Sequence, residues 1–110
     1  MKIDRDQVYL GHILEAIETV EGFIKDKSFV DLGSNKLLID GIVRELEIIG
    51  EAANNISEEF KQKYPEIKWH LMVGMRNRLI HEYFEVDLDV VWKTVQESLL
   101  MLKKQIKNLK

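Results

Sequence analysis

An all-α, up-and-down bundle of four or five helices is the fold this sequence predicts, and three observations carry the prediction. Apolar residues recur at helical spacing over most of the 110-residue chain. One proline and six glycines leave little of the punctuation that many short strands need. The final stretch repeats apolar residues at alternating spacings of four and three, the pattern of a helix packed along a seam.

The elements follow in order. Leu10, Ile13, Leu14, Ile17, Val20 and Ile24 lie at helical spacing and make 4–26 an amphipathic helix. Residues 27–34, with Asp31-Leu32-Gly33-Ser34, read as a loop. A second helix carries the stripe Ile39, Ile42, Val43, Leu46, Ile49 and Ala53. Gly50 inside it costs about 1 kcal/mol relative to alanine, which is consistent with close approach by a neighbouring helix. Ser57 caps a short third helix with Glu58 and Glu59 in its first turn. That helix ends near Tyr64-Pro65, because the residue before proline is pushed out of the α region. A fourth helix starts near Lys68 and carries Trp69, Met72, Val73, Met75 and Leu79. Residues 82–86 read as a break, and Asp87 caps the last helix. Its seam is Leu88, Trp92, Val95, Leu99, Leu102, Ile106 and Leu109, with Lys103, Lys104, Lys107 and Lys110 at the end where the helix dipole favours cations. No repeat or linker interrupts the chain, so 1–110 reads as one domain.

Composition narrows the function. Apolar residues are 45% of the chain and charged ones 32%, a balance that suits a packed domain with a charged surface. With no cysteine, disulfides, thiolate nucleophiles and cysteine-based zinc sites are excluded. No apolar run approaches the roughly 20 residues that span a bilayer, and the polar start lacks a signal-peptide core, so a cytoplasmic location is expected. The net charge of −3 excludes a histone-like nonspecific coat, since such binders neutralise phosphate with a basic surface. Any RNA is met at a local basic site or through charge that a partner supplies.

Residues 76–83 explain themselves as packing less easily than the rest of the chain. Arg76, Asn77, Arg78, His81 and Glu82 set strong polar groups beside apolar Met75, Leu79 and Ile80 near a helix end. Asn77 and His81 are four apart and share a face, which lets the amide orient the imidazole. Arg76 and His81 are five apart, roughly 140° around an ideal helix. Either the helix ends before His81, or the long arginine wraps round, or a second chain completes the site.

Arg76, Asn77 and His81 resemble the arginine–polar–three residues–histidine pattern of HEPN domains, and Tyr83 extends it to R-x4-H-x-Y. The flanking stretches resemble the HepT branch of that family. Ile49-Gly50-Glu51-Ala52-Ala53 is similar to its IGEAA stretch, and Trp69 with Val73-Gly74-Met75-Arg76-Asn77 to its W…GMRN stretch. Asp87 followed by Val91-Trp92 is similar to the start of its final helix. The ordered set covers nearly the whole chain and is far more specific than R-x4-H alone.

The resemblance implies a metal-independent, homodimeric ribonuclease toxin that needs no cofactor, with motifs from both chains facing one cleft. Cleavage of RNA by its own 2′-hydroxyl needs proton transfer near neutral pH and cations for the charge that builds on phosphorus. His81, with an ordinary pKa of about 6.5, suits the first task. Arg76, a permanently charged planar fork, suits the second. Asn77 would hold the histidine or the substrate. With one histidine per motif, a complete acid–base pair needs the second subunit. The resemblance also implies a partner, an MntA-like nucleotidyltransferase antitoxin that transfers AMP from ATP onto Tyr83. Phosphates added two residues from His81 would place negative charge where RNA phosphate must bind.

Plainer readings stand beside these. His81 alone reads as a hydrogen-bonded helix-end residue, and Arg76 alone as an ion-pair partner of Glu51 or Glu82. Arg78 reads as a solvated arginine before an RNA contact, and Tyr83 as a cap on the core. His12 with Glu15, or Glu66 with His70, has metal-compatible spacing, but the paired Glu-x-x-His of bundle di-metal sites is missing and no metal is expected. His70 beside Trp69 reads as structural. The acidic group Glu82, Glu85, Asp87 and Asp89 reads as a cap plus solvated loop. The alternative function is a non-catalytic helical module that binds a nucleotidyltransferase.

Overall fold

The computed structural model describes the backbone of residues 4–81 and 87–109, and the side chains of all of these but 79–81. It is all-α among the described residues, as expected. The elements are α1 (Arg5–Ile24), α2 (Phe29–Ser34), α3 (Lys36–Asn55), α4 (Glu58–Lys63), α5 (Trp69–His81), α6 (Leu88–Lys93) and α7 (Leu99–Lys107), with a π-helical segment, Thr94–Ser98, between the last two. The expected break at 82–86 lies outside the described residues. None of the described helices is long and apolar enough to cross a membrane.

Local chemistry sets the ends. Asp4 caps α1 by accepting from the N–H groups of Asp6 and Gln7. After α1, Lys27 N–H donates to Ile24 C=O, with Lys25 extended and Asp26 at φ 62°. This is a turn with its left-handed position filled by an aspartate, one of the few side chains that tolerate it. Ser57 caps α4 and accepts from Phe60 N–H, and Asp87 caps α6, both as the sequence indicates. Ser57 does more. Its N–H and hydroxyl donate to the two carboxylate oxygens of Asp6 at 2.8 and 2.7 Å, tying α4 to the start of α1.

Two expectations are corrected. The segment 27–34 is not all loop, because Phe29–Ser34 forms α2. Ser28 and Asp31 make a reciprocal capping box that satisfies two otherwise orphan N–H groups. The Ser28 backbone N–H, and after it the Ser28 hydroxyl, hold the Asp31 carboxyl below its ordinary pKa. The last helix is not one regular heptad seam either. Val91 is buried while Leu88 and Trp92 are only partly so, and the core row runs Val91, Val95, Leu99, Leu102, Ile106. Two successive four-residue steps would drift about 80° around a regular helix. The wider π turn takes up that drift. Thr94 stands at its start, its hydroxyl donating to Val90 C=O at 2.7 Å and so competing for a ladder carbonyl.

Packing places α3 at the centre, against α1 on one side and α5 on the other. Ile13, Ile17 and Val20 of α1 meet Ile42, Leu46, Ile49 and Ala53 of α3 in one buried cluster with the α6–α7 row. Lys103 of α7 reaches Glu21 of α1 at 2.8 Å, and hydrogen bonding to that carboxylate raises the lysine pKa. Phe60, Tyr64 and Trp69 form an aromatic cluster under α4, and the Trp69 indole N–H donates to Tyr64 C=O.

Candidate functional site

The site is built where α3 and α5 come closest. Gly50 faces Arg76 there. A β-carbon at residue 50 would clash with the Arg76 Cβ and lie 2.8 Å from the Met72 carbonyl oxygen. Gly50 therefore marks the close helix approach that the sequence suggested, and its cost in helix propensity is offset by this contact. The neighbouring residue Glu51 then stands beside Arg76. Glu51 Oε2 lies 2.9 Å from Arg76 Nη2, and Asn55 one turn on donates to the Glu51 backbone carbonyl and to Oε1. From the other side, Arg76 Nη1 donates to Asn77 Oδ1 at 3.1 Å. The guanidinium is thus held between an anion and an amide. It has five N–H donors in all, and the two contacts use one on each terminal nitrogen.

Next to this arginine is a cleft of about 340 Å³. Ile48 and Ala52 of α3 form apolar lining. Tyr9 and His12 of α1, Arg44, Glu47, Glu51 and Asn55 of α3, and Arg76 of α5 complete its polar wall. Tyr9 and His12 pack edge to face with ring centroids 5.9 Å apart.

Arg76 pairs with Glu51, one of the two partners the sequence offered. Glu82 lies outside the described residues. Asn77 is exposed, and its carbonyl oxygen is engaged by Arg76. Arg78 is exposed. His81 is the last residue of α5, whose backbone is helical through it, so the reading in which the helix ends before His81 is removed. Its side chain and all of Tyr83 lie outside the described residues. His70 is exposed beside the buried Trp69. Among the described residues, no group of three or more histidine, aspartate or glutamate side chains is placed to hold a metal ion. The motif reading missed His12 as a neighbour of Arg76. Its i, i+3 spacing from Tyr9 was the one signal available.

An all-helical domain with R-x4-H on one helix, its arginine clamped at the edge of a cleft, is the class that fold and site define. Residues 13–109 match the family model "Ribonuclease HepT-like", and the chain belongs to that family. It is 46% identical to "Probable ribonuclease HepT" of Thermococcus cleftensis over 93% of both chains. It is 41% identical to a "Putative RNase" of Caldanaerobacter subterraneus over 92% of this chain and 90% of the relative. It is also 44% identical to a "Gamma-glutamylcyclotransferase and putative RNase" of Methanocaldococcus jannaschii, over 91% of this chain but only 45% of that longer protein. No solved structure matches.

Proposed function

We propose that this chain is an endoribonuclease toxin that cuts RNA without a metal ion, at a cleft shared by two copies. The observation that carries the reading is the clamped Arg76 at a cleft edge, on the same helix as His81, in a chain of the HepT-like ribonuclease family. Relatives named as ribonucleases over nearly their whole length support it.

In the reaction, the 2′-hydroxyl oxygen attacks the adjacent phosphorus while a base removes its proton. The bond from phosphorus to the 5′-oxygen breaks, and the leaving oxygen receives a proton. His81 of one copy and His81 of the other serve as the two proton carriers. Arg76 binds the nonbridging oxygens, whose charge grows in the transition state. Asn77 keeps the guanidinium in place. Five positions on a continuous helix separate arginine from histidine, which supports a site completed by a second copy. Leu71 on the same helix, 60% exposed, is an apolar side chain for that copy to cover.

Tyr83 is the acceptor for AMP from an MntA-like nucleotidyltransferase, and the added phosphate excludes RNA by charge. The test is made in cells. Expression of this chain alone arrests growth, and Arg76→Ala or His81→Ala relieves the arrest. Co-expression with the nucleotidyltransferase relieves it for the wild type, with AMP on Tyr83 by mass spectrometry, and fails to relieve it for Tyr83→Phe. Unimpaired growth with the unmodified chain would instead support a non-catalytic module that binds the nucleotidyltransferase.

A further inference from the structure

The cleft beside Arg76 has features that the cleavage chemistry does not use. Tyr9 and His12 bring two rings of α1 into its wall, and His12 is exposed. Glu47, by contrast, has a side chain only 27% exposed. Its described ion-pair partner is Arg44 at 4.0 Å, on a side chain 71% exposed. A contact that long to a solvated arginine restrains the carboxylate little. The cleft volume, about 340 Å³, is at the small end of ligand pockets.

We propose that this cleft is a nucleobase subsite that selects guanine from an unpaired stretch of RNA, with Glu47 as the reading group. The proposal rests on the ribonuclease reading above, since it is Arg76 that brings an RNA phosphate to the edge of the cleft. Single-stranded RNA is read by splaying bases onto aromatic or histidine rings and bonding their edges. Tyr9 and His12 supply the rings. A carboxylate supplies two acceptor oxygens side by side and no donor. Guanine alone matches it, because its N1–H and N2–H donors are adjacent. Adenine and cytosine each offer one amino group beside a ring nitrogen lone pair, and uracil one N–H between two carbonyls. Each of these three sets a lone pair against the anion. Arg44, one turn from Glu47, adds donors for the guanine O6 next to N1, a pairing that arginine makes well.

The full chain is titrated with GMP, AMP, CMP and UMP while the ring protons of His12 and Tyr9 are followed by NMR. GMP is expected to shift both rings and to bind about tenfold tighter than the other three. Glu47→Gln, which swaps one acceptor oxygen for a donor, should bring GMP down to their level with the helical circular dichroism unchanged. Equal affinities in the wild type, GMP binding that leaves both rings unmoved, or a preference that survives Glu47→Gln would overturn the subsite. Cleavage is assayed separately on RNAs with and without guanine. A protein that prefers GMP yet cuts no RNA removes the cleavage reading and keeps the subsite. One that cuts both RNAs alike and shows no GMP preference does the reverse.

Discussion

Gly50 and Arg76 occupy each other's space: the arginine Cβ lies where a side chain at residue 50 would begin. Gly50→Ala therefore drives α3 and α5 apart. Alanine gains about 1 kcal/mol of helix propensity, but overpacking costs about 1–3 kcal/mol, and the Met72 carbonyl cannot swing aside. A net loss of stability is expected, read as a lower urea midpoint. RNA cleavage by the fraction still folded should fall as well, because Arg76 moves with α5.

Glu51 holds the guanidinium of Arg76 at 2.9 Å. The pair is part-exposed, 30% on the arginine and 53% on the glutamate, and such pairs contribute about 1 kcal/mol or less. Glu51→Ala should leave the urea midpoint nearly unchanged and slow RNA cleavage roughly ten- to a hundredfold, because Arg76 loses its position. An equal loss of stability and rate would show that the ion pair supports the fold instead.

The Asp6–Ser57 contact behaves in the opposite way. Its two charge-assisted hydrogen bonds join α1 to α4 and involve no residue of the cleft. Asp6→Ala should lower stability by about 1–2 kcal/mol, measured by denaturant unfolding, and leave the cleavage rate of the folded protein unchanged.

Asp31 gives a pH dependence with a definite sign. Its folded pKa is lowered by the Ser28 N–H and hydroxyl, so its contribution is present above the ordinary value of 3.8 and lost as pH falls through the lower folded one. Asp31→Ala should therefore melt below the wild type at pH 7. The gap between the two melting temperatures should close as the pH is lowered from about 4.

How far the sequence reveals this molecule depends on the range of the interaction. Ser57 and Asp87 announce their helices because capping is settled within three residues. α2 is hidden because six residues show no periodicity, and Asp31-Leu32-Gly33-Ser34 has the composition of a turn. The π segment is a backbone adjustment, visible in the sequence only as two successive steps of four, and the seam chosen from periodicity passes through Trp92 where the structure buries Val91. Arg76 and its partner Glu51 were within reach because both lie in recognisable stretches. The cleft was not, since it joins positions 9 and 12 to 44, 47 and 51 and then to 76, a grouping that only helix packing creates.

Under the proposed function, RNA cleavage depends on both Arg76 and His81. The most direct measurement is the initial rate of cleavage of a labelled RNA by purified protein in EDTA, for wild type, Arg76→Ala and His81→Ala of matched circular dichroism and sedimentation. The wild type is expected to cut to ends carrying a 2′,3′-cyclic phosphate, with rates at background for both variants. Equal cutting by wild type and His81→Ala, or no cutting by an unmodified wild type that is folded and dimeric, would contradict the proposed function.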